Sequence, residues 1–174
     1  EDRGHMSWLR ALIDKRVIVL ALIYFMSVTS GYGIVFFLPQ IVKALGESNF
    51  MTGVLAAIPH AIGVVGLLLW GFSSDRRNER RRHFIAAACV SAIGFAAAAW
   101  LRESFWGIAA MSVATIGLYA SRPAFWPMPS MFLSGAAAAA GIALINSIGN
   151  LGGYVGPFIV GWIKESTKSF EMAL

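Results

Sequence analysis

Arg122 is the residue of this chain best placed by type and surroundings to do chemistry. It lies in the stretch Ser121-Arg122-Pro123-Ala124-Phe125-Trp126-Pro127-Met128-Pro129-Ser130, where a charge, an indole and three prolines interrupt a very apolar region. Hydrocarbon tolerates a charge or a broken backbone only where protein or a water-filled cavity surrounds it. Tyr119, Trp126 and Ser130 share a helix face at i, i+7 and i+11, with Arg122 beside it. Pro123 and Pro127 each remove a backbone donor and so free the carbonyls of Tyr119 and Pro123. An aromatic wall, a guanidinium and loosened backbone suit an anionic ligand, with Arg122 pairing bidentately to a carboxylate. A second reading stands beside the first. Arg122 falls about 25 Å along a helix begun at Phe105, close to a membrane boundary, where it could snorkel to the headgroups.

Two asparagines form another constellation. Asn146 and Asn150 are four residues apart and share a helix face, continued by Gly153 and Pro157. Gly149, Gly152, Gly153 and Gly156 leave much of this segment free of side chains, and Gly152 with Gly156 forms GxxxG, a surface for close helix packing. The asparagines read as ligand contacts, with hydrogen bonding between helices as the alternative. His60, in mid-segment, offers either a proton relay or a neutral imidazole bonded to a neighbouring helix. Asp75, in a loop with five arginines, could cap a neighbouring helix or form an ion pair that is made in one conformation and broken in another. The loop could also be a plain cationic anchor.

Other chemistries lack their parts. His5, His60 and His83 are far apart, the single cysteine (Cys89) sits in an apolar run, and no carboxylate falls inside an apolar segment. Neither a metal site, a disulfide framework nor a catalytic pair is expected, and no cofactor.

The elements that position these residues follow from composition. The chain is 57% hydrophobic and 13% charged, about half the charge of a soluble domain. The expectation is an all-α membrane protein with five transmembrane helices, over residues 17–42, 50–72, 84–101, 105–132 and 136–163, each long enough for a bilayer. Residues 1–16 read as a cytoplasmic interfacial lead-in with Trp8 at headgroup level, 17–163 as the five-span domain, and 164–174 as an extracytoplasmic tail. Pro39 can bend the first span. Ser27, Thr29, Ser30, Gly31, Tyr32 and Gly33 mark its middle as facing other helices or water. Gly46-Glu47-Ser48-Asn49, Arg102-Glu103-Ser104 and Ser134-Gly135 read as turns. Net charge +5 reflects topology and no nucleic-acid partner: Arg10, Lys15, Arg16 and the five-arginine loop fall on one side, which makes that side and the N-terminus cytoplasmic and the C-terminus extracytoplasmic.

The loop Gly71-Phe72-Ser73-Ser74-Asp75-Arg76-Arg77-Asn78-Glu79-Arg80-Arg81-Arg82-His83 resembles the cytoplasmic motif of the major facilitator superfamily, and its Ser-Asp-Arg-x-x-Glu-Arg-x-x-His form is similar to that of the anion:cation symporter branch. Asn78 stands where glycine is usual, a substitution that still permits a left-handed turn. Tyr32-Gly33 with Phe37-Leu38-Pro39 resembles the seventh span of that branch, Phe125-Trp126-x-x-Pro129 its tenth, and the run from Gly141 to Gly153 followed by Gly156-Pro157 its eleventh. The resemblance implies spans seven to eleven of a twelve-span transporter, with the N-terminal six-helix half as a missing partner. It implies substrate contacts at Trp126 and Asn146, which join Arg122, Tyr32 and Asn150 as the candidate contacts, and a gating loop at Gly71, Asp75, Arg76 and Arg80. It gives Trp126 and Asn146 more weight than Arg122, so that Trp126→Ala and Asn146→Ala should impair binding more than Arg122→Lys. The implied parent is a proton-coupled symporter of small organic anions in a bacterial inner membrane, inactive as the isolated chain. The alternative is a non-transporting membrane module or truncated gene product.

Overall fold

The computed structural model describes residues 7–101 and 104–167. The described residues are almost wholly helical: α1 (Trp8–Leu12), α2 (Lys15–Ala44), α3 (Asn49–Arg77), α4 (Arg81–Leu101), α5 (Phe105–Phe125), a 3-10 turn (Pro129–Met131) and α6 (Gly135–Thr167). The Arg102–Glu103 turn, the first six residues and the tail beyond 167 lie outside them.

Short polar residues set the helix starts by accepting the free backbone N–H groups of the first turn. Asp14 accepts from Arg16 N, Ser48 from Met51 N and Ser104 from Gly107 N. Asn78 ends α3 in the left-handed region at φ 48°, which its side chain tolerates better than most. Gly46 (φ +83°) and Gly135 (φ +53°) make the two tight turns between long helices.

Four helices are long and apolar enough to cross a membrane: α2, α3, α4 and residues Gly135–Ile163 of α6. The fifth long helix, α5, stands apart from these four. Its Arg122, Pro123, Tyr119 and hydroxyl residues lower its hydropathy, and it is the most enclosed helix, with thirteen buried residues from Gly107 to Phe125. It also stops earlier than the sequence suggests. The helix expected to run to residue 132 ends at Phe125, because Pro127 and Pro129, two residues apart, each remove a backbone donor and the chain tightens into the 3-10 turn. Large apolar side chains outside the core, such as Phe50, Leu69, Phe72, Trp100 and Tyr154, are widely exposed, the reverse of a water-soluble surface and suited to lipid.

α5 is held between α3 and α4, while α2 pairs with α6 and also touches α5. Small residues allow these approaches. A Cβ on Gly117 would lie 2.3 Å from Ser91 N, and one on Gly94 2.3 Å from Ala114 N. On the other pair, a Cβ on Gly152 would lie 2.5 Å from the Phe25 carbonyl oxygen and one on Gly156 3.1 Å from Thr29, whose hydroxyl donates to the Gly152 carbonyl at 3.4 Å. α1 packs on α6 through Ala11, which is fully buried. Two apolar clusters result. One gathers Val17, Leu20, Ala21, Phe125, Leu133 and Ile145; the other gathers Ile34, Leu38, Val42, Met111 and Leu118. The stretch of α2 between them carries Tyr24 and Tyr32.

Candidate functional site

Between the two clusters lies a cavity of about 310 Å³, lined by Tyr24 and Tyr32 from α2, His60 from α3, Tyr119 and Arg122 from α5 and Asn150 from α6. Tyr119 is its central contact. Its hydroxyl and His60 Nδ1 share a hydrogen bond of 2.9 Å across α5 and α3, and the Arg122 guanidinium sits 4.7 Å from its ring centroid. A cation over an aromatic face is attracted by the ring quadrupole, so one ring links an imidazole to the one charge among the described residues that line the cavity.

Glycines on the facing helices make room for these rings. A Cβ on Gly63 would lie 3.0 Å from Tyr119 Cδ2, one on Gly149 2.0 Å from Tyr24 Cδ1, and one on Gly153 2.6 Å from Tyr32 Cε2. Gly149 and Gly153 are four apart, as are Asn146 and Asn150, so α6 presents a glycine pair to the tyrosines and an amide pair beside it. The Asn150 amide donates to Asn146 Oδ1 at 3.2 Å.

The structure thus brings Arg122, Tyr32 and Asn150 together and places Trp126 and Asn146 at the margin. Trp126 packs edge-on against Tyr24, with centroids 4.9 Å apart, and against Phe125 at 5.5 Å. It shares with Arg122 a recess of about 30 Å³ next to the larger cavity. Asn146 is exposed and reaches the cavity only through Asn150. His60 bonds to a neighbouring helix through Tyr119. Tyr24 is not among the residues that the sequence singles out, although it precedes Tyr32 by eight residues on the same helix and meets Gly149 as Tyr32 meets Gly153. The described carboxylates, Asp14, Glu47, Asp75, Glu79 and Glu165, all lie at helix ends or in loops.

The loop between α3 and α4 is organised by its own polar groups. Asp75 pairs with Arg80, whose Nη1 also donates to Ser74 Oγ at 3.1 Å; Ser74 in turn donates to the Glu79 carbonyl at 2.7 Å. Arg76 is exposed. Gly71 lies against Pro123, where a Cβ would come within 3.2 Å of the ring, so the end of α3 rests on the end of α5 below Arg122. Glu79, rather than Asp75, caps α4: its carboxylate accepts from Arg82 N at 2.9 Å and His83 N at 3.2 Å. These bonds, that from the Arg82 N–H first, hold its pKa below the ordinary 4.5.

Comparison with known proteins agrees with this architecture. Residues 3–157 match the profile of the Major Facilitator Superfamily. A putative tartrate transporter of Agrobacterium vitis is 46% identical over 97% of this chain, which spans 37% of that protein. A quinolone resistance transporter of Acinetobacter baumannii is 44% identical over all of the chain, which spans 40% of it. The inner membrane transport protein RhmT of Escherichia coli is 38% identical over 86% of the chain, which spans 35% of it. No solved structure matches significantly. With a superfamily profile covering most of its length and transporters as its relatives, the chain belongs to the Major Facilitator Superfamily and is a transporter segment rather than an enzyme.

Proposed function

We propose that this chain forms part of a proton-coupled carrier of small organic anions, with Arg122 as the group that binds the carboxylate. The observation that carries the reading is the charge balance of the cavity. A guanidinium with no carboxylate partner among the described residues faces about 310 Å³ of space whose other polar walls are three phenols, an imidazole and an amide. Such a wall supplies one positive charge and several neutral donors, the pattern a small hydroxylated acid requires. Tyr32 and Asn150 serve as further substrate contacts, Trp126 backs the Tyr24 ring, and Asn146 orients Asn150. The relatives named as tartrate transporters support this direction.

The Asp75–Arg80 pair, with Gly71 and Arg76, forms a latch at the cytoplasmic end that opens as one half of the carrier rocks against the other about a midplane site. The N-terminus is cytoplasmic, the membrane a bacterial inner membrane, and the coupling proton is carried by groups of a companion six-helix half. The isolated chain does not transport.

The test is uptake of labelled tartrate into proteoliposomes by the longer carrier that contains this segment, with and without an inward proton gradient. Arg122→Gln should lower substrate affinity about 10-fold or more, the loss of one charge-assisted pair. Trp126→Ala and Asn146→Ala should have smaller effects, the reverse of the order expected from the sequence. Uptake indifferent to Arg122→Gln or to the gradient would refute the reading, as would concentrative uptake by the isolated chain.

A further inference from the structure

A second depression lies at the loop end of α3 and α4, outside the cavity. It is an open recess of about 400 Å³ lined by Trp70, Ser73 and Arg77 on α3 and by Arg82, His83 and Ala86 on α4. The two helices both pack on α5 but touch each other only sparsely, so a groove runs between them with α5 as its floor. Val113 belongs to that floor. It lies three and four residues before Ile116, which meets Gly66 of α3, and Gly117, which meets Ser91 of α4, and it is 40% exposed.

At the loop end the groove closes. Trp70 Nε1 donates to the His83 carbonyl at 3.0 Å, and Ser73 Oγ and His83 Nε2 share a hydrogen bond of 3.1 Å. Glu79 engages the other His83 nitrogen, Nδ1, at 3.3 Å. The polar groups inside are therefore committed to one another, while the two arginines at the rim are not. Among the described residues neither the Arg77 nor the Arg82 guanidinium meets a carboxylate, in contrast to Arg16 and Arg80, which do. An apolar groove that ends in an indole and two unpaired guanidiniums has the order of a phospholipid: chains, glycerol backbone, phosphate.

We propose that this depression is a binding site for an anionic glycerophospholipid. Arg77 and Arg82 hold the phosphate, Trp70 lies at the glycerol level, and an acyl chain runs past Ala86 into the groove over Val113. The site uses none of the cavity residues and is independent of the reading given above for them.

The test is native mass spectrometry of the full chain in dodecyl maltoside, titrated with phosphatidylglycerol or phosphatidylcholine of matched chains, and with sn-glycerol 3-phosphate. Phosphatidylglycerol should be retained about 10-fold more tightly than phosphatidylcholine, the equivalent of one strong charge-assisted contact. Arg77→Gln with Arg82→Gln should abolish the preference. Arg76→Gln with Arg81→Gln, which removes equal charge from the same loop outside the depression, should leave most of it. Ala86→Phe keeps every charge but blocks the groove, so it should weaken retention of phosphatidylglycerol even if the arginine variant folds poorly. Equal loss in the two arginine pairs would reduce the effect to general attraction and overturn the proposal. Equal retention of both lipids would also overturn it. So would displacement of phosphatidylglycerol by millimolar glycerol phosphate, or a dimer that disappears with Ala86→Phe in place of a lipid adduct.

Discussion

Replacing Gly149 by alanine tests whether α6 makes the space that the Tyr24 ring fills. The added Cβ would lie 2.0 Å from Tyr24 Cδ1, 2.7 Å from Cε1 and 2.9 Å from Cγ. Carbon atoms rest at about 3.5 Å, so the ring or the helix must withdraw by about 1.5 Å. Neither movement is free. Tyr24 is stacked on Phe125 at 5.5 Å and braced by Trp126 at 4.9 Å. The alternative, lifting α6 from α2, would break the close approach of Gly152 to the Phe25 carbonyl. Overpacking of this kind costs about 1–3 kcal/mol. Gly161 is the internal control, because it lies on the same helix and a Cβ there meets nothing within 4 Å. Reversible unfolding by sodium dodecyl sulfate in mixed micelles should place Gly149→Ala about 1–3 kcal/mol below Gly161→Ala. Adding Tyr24→Leu to Gly149→Ala should recover part of the loss, since neighbours in contact are not additive. Gly149→Ala as stable as Gly161→Ala would refute the reasoning, because the α2–α6 spacing would then not depend on a bare glycine.

Two further outcomes are expected from the same assay. Tyr119→Phe keeps the ring beneath Arg122 but removes the hydroxyl from His60, and should cost about 0.5–1.5 kcal/mol, the net worth of one such bond; no loss would mean that the α3–α5 link contributes nothing. Glu79 has a folded pKa below its ordinary 4.5, so its contribution to stability is present above that value and fades as pH falls through the lowered folded pKa. Stability should therefore drop more steeply on acidification below pH 4.5 in the natural chain than in Glu79→Gln, and parallel curves would contradict the capping role.

The loop between α3 and α4 shows how far local sequence reaches. Asn78 in a left-handed turn and the availability of Asp75 to an arginine both follow from residue type, and the structure realises both. That the cap of α4 falls to Glu79 was open, because several short-range acceptors compete there and only the placement of the helix start selects one.

For the protein as a whole, the sequence by itself determined the class, the membrane setting and most helix positions. Long apolar runs, arginine-rich loops and polar caps act within a few residues of one another, so their consequences are local. Only the tertiary structure decided which side chains meet. Tyr24 and Tyr32 face Gly149 and Gly153, more than a hundred residues later, and His60 reaches Tyr119 across 59 positions. Such pairings depend on helix rotation and separation, which are set by where glycine and alanine let α5 approach α4 and α6 approach α2. Helical period places a residue on a face but does not say what that face meets. For that reason Trp126, prominent in the sequence, packs at the margin, while Tyr119 stands at the centre.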